Sequence, residues 1–280
     1  MKYLIKASAL TALRTTGDTV FIDARGGADA YDRYSQAHLE GALFVDLETD
    51  LSEKREDAKD GGRHPLPSVE NFGRLLGNLG IMPSTTVVIY DDKRGANAAA
   101  RMWWMLKAVG HDRLFVVDGG LEAMIAAGLP MSTDAWELLT EYPAYPVLKW
   151  EMPIVGLEEV KMATENENAL IVDVRENYRF NGESEPIDLV AGHIPSSKNL
   201  PYTENLTDAG TFKDRMLLKE KYEALFADTN LNQVIVHCGS GVTACHTLLV
   251  LEELGLSGAS LYVGSWSEWS RNPLPIKTEV

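Results

Sequence analysis

Only two cysteines occur in the 280 residues, and one of them sits where chemistry could happen. Cys238 ends the apolar run of 233-QVIVHCGSGVTACHTLLVLEELG-255, and a loop of small residues separates it from an amphipathic segment. A cysteine at the carboxyl end of a buried strand, with a glycine-bearing loop and then a helix, can do one of two things. The backbone N–H groups of 239–243 and the helix N-terminus can converge on the sulfur and stabilise a thiolate, the reactive form of cysteine. Alternatively the thiol packs, since free cysteine is among the most buried residue types. The loop alone leaves both readings open. Ser240 offers a hydroxyl that could bond a ketone oxygen or pass a proton, or else bond its local backbone, and Thr243 is expected to close the loop on its own backbone. His237 precedes the cysteine, but strand alternation sends it to the opposite face. Cys245 is expected to be a packed thiol. A phosphate-clamping Cys-x5-Arg loop is excluded, because position 244 is alanine.

The elements that must position Cys238 are written twice. The segment 20-VFIDAR-25 is echoed by 170-LIVDVR-175, and 37-AHLEGALFVDL-47 by 192-GHIPSSKNLPY-202. Next, 86-TVVIYDDKRGANAAARMWWMLKAVG-110 is echoed by 233–255, and 115-FVVDGGLEAMIAAGLP-130 by 261-LYVGSWSEWSRNPLP-275. Four matches in one order indicate a duplication. In the first copy Asp91 takes the place of Cys238, a fixed anion that cannot act as a sulfur nucleophile. The repeat therefore favours the nucleophile reading for Cys238.

Each half alternates short β-branched runs with longer segments of helical apolar spacing, the pattern of a parallel sheet with helices on both faces. The expected organisation is an inactive α/β domain over 1–135, a linker over 136–153 punctuated by prolines, and a catalytic domain over 154–280. The charged, Gly- and Pro-containing stretch 49–68 is expected to be a solvated surface loop, with a place beside the cleft as the sharper alternative. A formal charge of −15 argues against nucleic acid, whose affinity rests on Lys and Arg neutralising phosphates. Two cysteines cannot build a disulfide framework and suit a reducing compartment. The N-terminal apolar stretch is broken by a lysine, and no long apolar run follows, so a cytoplasmic protein without a membrane partner is expected. No metal-ligand spacing occurs, and neither metal nor cofactor is expected. A monomer is expected, because no exposed apolar stripe stands out.

The chain resembles the tandem rhodanese-type sulfurtransferases. The resemblance rests on D-x-R in each half (Asp23/Arg25, Asp173/Arg175), the elements around His38 and His193, Cys-x5-Ala at 238–244, and 262-YVGSWSEW-269. Gly239 and Ser240 in CGSGVT resemble the branch that uses 3-mercaptopyruvate, whereas the thiosulfate branch typically carries two cations there. The resemblance implies that Cys238 takes a sulfur atom from a small anionic donor as a persulfide, releases pyruvate, and passes the sulfur to a thiol, thioredoxin or cyanide. Both sulfur states are anionic, which the N–H groups of Gly239, Ser240, Gly241, Val242 and Thr243 suit. Arg179 matches the arginine that binds the substrate carboxylate, and His193 the structural histidine. His38 matches a histidine grouped with Ser240, with Asp29 or Asp32 as the accompanying aspartate, and Trp266 the tryptophan flanking the site. A second arginine expected before His193 is absent from 185-EPIDLVAGH-193, where Ile187 stands near the place. That departure leaves room for a different anionic donor or a cation from elsewhere. Thiosulfate sulfur transfer is the alternative activity, and a non-catalytic sulfur-sensing or protein-binding module the remaining one.

Overall fold

The computed structural model describes residues 2–15, 17–134, 143–147, 149–227 and 229–280. Residues 136–142 and 148 of the expected linker lie outside the described residues. The chain divides into two compact units. One comprises Met1–Glu53, Leu66–Glu151 and Ala209–Thr211, and the other Lys54–Pro65, Met152–Asp208 and Phe212–Val280.

In the first unit the strands are β1 (Leu4–Lys6), β2 (Thr19–Arg25), β3 (His38–Leu39), β4 (Leu43–Asp46), β5 (Thr86–Tyr90), β6 (Leu114–Asp118) and β7 (Met131–Ser132). Five of them form a parallel sheet in the order β1-β6-β5-β2-β4, and β3 pairs antiparallel with β7. The second unit holds β8 (Ile154–Val155), β9 (Leu170–Asp173), β10 (Lys198–Asn199), β11 (Val234–His237) and β12 (Ser260–Tyr262). These strands are also parallel, in the order β10-β9-β11-β12-β8. The two sheets match strand for strand, with β5 and β11 as the central strands.

Central strands are covered on both faces, so every residue of TVVIY and VIVH is buried. In β5, Val88 and Tyr90 join Leu10, Leu121 and Met124 in one core, while alternation turns Val87 and Ile89 to the other face. In the second unit Ile171, Ile235 and Tyr262 pack against Val160, Trp266 and Trp269. The opposite side of that sheet is covered by the helix Thr243–Leu254, which buries Leu248, Leu249 and Leu251. Each such side chain is worth about 2 kcal/mol, so the helix that follows Cys238 is anchored along most of its length.

The D-x-R repeat is a structural device. Arg175 forks onto Asp173 at 2.6 Å and donates to the Gly192 carbonyl at 2.7 Å, all within the core. Arg25 repeats this with Asp23 and the Ala37 carbonyl, each at 2.7 Å. Each pair ties the end of a strand to the backbone just before the histidine element.

The stretch 54–65 keeps the expected surface exposure at 54–57 and 59–60, while 61–65 turns inward. It packs within the second unit, although the sequence places it in the first half. The Lys59 carbonyl accepts from Asn272 Nδ2 at 3.0 Å, Gly61 N donates to Glu268 Oε1 at 2.7 Å, and Arg63 N donates to Ser267 Oγ at 3.1 Å. Between them Gly62 has φ +81°, and a Cβ there would lie 2.4 Å from the Gly264 carbonyl oxygen. Only glycine permits that backbone conformation and that approach.

Candidate active site

Cys238 directly follows β11 and is 2% exposed. Its N–H donates to Ser265 Oγ at 3.2 Å, and its carbonyl accepts from Trp266 N at 3.1 Å. Ser265 has φ +54°, unusual for a residue with a side chain, and its hydroxyl donates to the Tyr262 carbonyl at 2.9 Å. Held this way, its oxygen fixes the Cys238 backbone. Gly241 completes the turn with φ +73°, where a Cβ would meet the Val263 carbonyl oxygen at 2.5 Å. Val242 and Thr243 then enter the helix. Cys245 is a packed thiol whose Sγ–H donates to the Gly241 carbonyl at 3.3 Å.

The first unit shows what such a loop does for an anion. Asp91, at the matching strand end, accepts backbone N–H bonds from Lys93 (2.9 Å), Gly95 (2.6 Å), Asn97 (2.9 Å) and Ala99 (3.1 Å). Burial pushes its carboxyl pKa up, and these four donors pull against that rise. The Asp91 carbonyl accepts from Leu121 N at 2.9 Å, as that of Cys238 does from Trp266 N, so the two loops share a frame.

Two guanidiniums converge over Gly239, the residue after Cys238. A Cβ built on Gly239 would lie 3.4 Å from both Arg179 Nη2 and Arg63 Nη2. Arg179 projects from the short helix Asn177–Asn181 and is gripped by Glu185, with Nη2 to Oε1 at 2.8 Å and Nε at 3.1 Å. Burial works against its charge, but Glu185, Glu176 and Asp188 raise its pKa above the ordinary value and keep it cationic. Arg63 comes from the 54–65 stretch and pairs through Nη1 with Asp188 Oδ1. The expected second arginine, absent from 185–193, thus has a counterpart from a distant part of the sequence.

Ser240 is buried and bonds His64 Nδ1 at 2.7 Å. The histidine on Ser240 is therefore His64 and not the expected His38. In its own unit His38 is a structural residue, stacked on Tyr34 at 3.9 Å with Nδ1 on the Tyr34 carbonyl at 2.9 Å. His193 repeats this with Phe180, at 3.8 Å and 2.9 Å. The same element thus does the same work in both units. Asp29 and Asp32 are exposed, and Asp29 pairs with Arg33. Trp266 is wholly buried, its Nε1–H bonded to the Val190 carbonyl at 2.9 Å and its ring 4.5 Å from the Arg175 guanidinium. It braces the loop from the core. His237 points its Nδ1 at the Cys238 carbonyl, 3.2 Å away, and lies 3.7 Å from Asp173 through Nε2.

Sequence reasoning missed Arg63, His64 and Asp188. A trace was present: GGRHP brings two basic side chains and paired glycines together in a strongly acidic chain.

The site is therefore a cysteine in a loop that shares the frame of the Asp91 loop, a Ser–His pair, and two arginines over a residue without a side chain. The rhodanese-like domain pattern matches residues 6–127 and again 157–272. A Pseudomonas aeruginosa protein named "Probable 3-mercaptopyruvate sulfurtransferase" is 36% identical over 276 residues, 96% of this chain and 95% of that protein. A thiosulfate sulfurtransferase of Mus musculus is 34% identical over 260 residues, covering 89% and 83%. The solved 3-mercaptopyruvate sulfurtransferase from Leishmania major superposes with a TM-score of 0.84 at 29% identity, over 98% of this chain and 76% of that one. On its sequence pattern, its two matching sheets and the frame of its cysteine loop, the chain belongs to the rhodanese family and carries that domain in two tandem copies.

Proposed function

We propose that the protein transfers sulfur from 3-mercaptopyruvate, through a persulfide on Cys238, to a thiol, thioredoxin or cyanide, releasing pyruvate. The observation that carries this reading is the pair of guanidiniums meeting over Gly239, beside the nucleophile. A carboxylate next to a ketone is recognised by forked cationic donors, and the missing side chain at 239 leaves it a seat. The Cys238 thiolate attacks the donor's sulfur, and the S–S bond forms as the C–S bond breaks. The electron pair of the C–S bond leaves on carbon as the enolate of pyruvate. The Ser240 hydroxyl, backed by His64, stabilises the enolate oxygen, and protonation at carbon yields pyruvate. An acceptor then takes the outer sulfur and regenerates the thiolate, so the kinetics are ping-pong. The names of two of the similar proteins support the same donor.

Thiosulfate is the second reading, favoured by the mouse relative's name. The two are separated by kcat/KM for 3-mercaptopyruvate and thiosulfate with cyanide as common acceptor. A clear preference for 3-mercaptopyruvate is expected, and a preference for thiosulfate would overturn the proposal. Mass spectrometry after donor treatment is expected to find one added sulfur atom on Cys238, and its absence would favour a non-catalytic module.

A further inference from the structure

The cation pair at Gly239 is organised around one buried carboxylate. The Asp188 side chain is 0% exposed and touches three guanidiniums from three places in the second unit. Its Oδ1 accepts from Arg63 Nη1 and from Arg271 Nη1, the latter at 2.8 Å. Its Oδ2 makes no hydrogen bond and lies 3.7 Å from Arg179 Nη2. Asp188 falls in the 185–193 stretch, where the family resemblance leads one to expect an arginine. Ile187 stands near that place with the Asp188 carboxylate next to it, and Arg63 supplies the second cation from a distant part of the sequence.

This arrangement sets the charge of the pocket as well as its shape. Arg175 is matched by Asp173, and Arg179 is matched by Glu185. Glu176, 3.5 Å from Arg179 Nη1, is more exposed and so better screened. Asp188 stands between Arg63 and Arg271, so at the seat the cations of Arg63 and Arg179 are backed by two buried carboxylates, Asp188 and Glu185. With Asp188 behind the arginines, a donor that brings one carboxylate meets less repulsion than a compact dianion does.

Resting on the donor proposed above, we infer that Asp188 is a positioning residue that determines specificity. It holds Arg63 at the seat, and its negative charge sets the pocket for a monocarboxylate donor over a dianionic one. In the whole protein, Asp188→Asn keeps an oxygen acceptor for Arg63 and removes the charge. The kcat/KM ratio of thiosulfate to 3-mercaptopyruvate, with cyanide as acceptor, is expected to rise about tenfold, through a lower KM for thiosulfate. The thiosulfate reaction of the variant is also expected to slow more steeply with added salt than that of the parent. Arg271→Gln removes a cation from the other side of Asp188 and is expected to move the ratio the opposite way. An unchanged ratio in both variants, or an equal fall for both donors, would reduce Asp188 to a structural residue and overturn the inference. The parent protein's own preference tests the donor, while the change between parent and variant tests Asp188, so the two can fail separately.

Discussion

Replacing Gly239 by alanine adds a single methyl group at the place where the donor's carboxylate is expected to sit. The new Cβ would lie 3.4 Å from Arg63 Nη2, 3.4 Å from Arg179 Nη2 and 3.8 Å from Arg179 Nη1. These are ordinary contact distances, so the site accepts the methyl group without strain. The backbone at 239 is outside the left-handed region, and the entropy alanine removes from the unfolded chain is worth about 0.4–1 kcal/mol in favour of folding. Thermal stability is therefore expected to be unchanged or slightly raised. Binding is another matter, because the methyl group fills the volume from which an anion would reach both guanidiniums. Losing one charge-assisted hydrogen bond costs about 1.5–3 kcal/mol, roughly 10- to 150-fold in KM for 3-mercaptopyruvate. Steady-state pyruvate release beside a melting curve measures both effects. Gly241→Ala is the contrasting control: with φ +73° and a Cβ 2.5 Å from the Val263 carbonyl oxygen, it is expected to lower the melting temperature. An unchanged KM in a stable Gly239→Ala protein would show that the carboxylate does not sit over residue 239. A melting point as low as that of Gly241→Ala would show that the glycine serves packing.

Asp91→Ala leaves four buried N–H groups without their carboxylate. At about 1–3 kcal/mol for each donor left unmet, the first unit is expected to lose about 4 kcal/mol or more in urea unfolding; a loss under about 1 kcal/mol would mean that the loop rearranges freely. Ser240→Ala and His64→Asn are expected to lower kcat for 3-mercaptopyruvate by a similar factor, and the double variant by little more, as for one hydrogen-bonded unit; independent, multiplying losses would separate the two roles. Burial lowers the pKa of His111 and His237 below the ordinary histidine value, so both stay neutral in the folded protein. The unfolded chain takes up those protons first as pH falls below about 6.5. Stability is then expected to drop on acidification by up to about 1.4 kcal/mol per pH unit for each histidine, and to level off above neutrality. Denaturant midpoints across that range that show no such slope would refute the neutral assignment.

The sequence by itself determined what depends on short-range order. Apolar runs of strand length, separated by segments of helical period, determine parallel sheets, and the duplicated order of those segments determines two copies of one sheet. The position of Cys238 follows from the same local logic, since the end of a central strand is where the chain must turn into a helix. The tandem placement of Asp91 and Cys238 was likewise legible, because each is written into the same kind of segment. Tertiary structure alone decided which side chains meet beside the loop after Cys238. Arg63 reaches Asp188 across 125 positions and His64 reaches Ser240 across 176, and no periodicity encodes pairings of that length. His38 and His193 sit in similar local elements, so their sequences alone could not show that both serve as stacked structural residues. The deciding event is the docking of 54–65 onto 264–272, which Gly62 permits by having no side chain where the Gly264 carbonyl approaches. A loop's composition marks it as polar and turning, but the surface it meets is built from residues far along the chain.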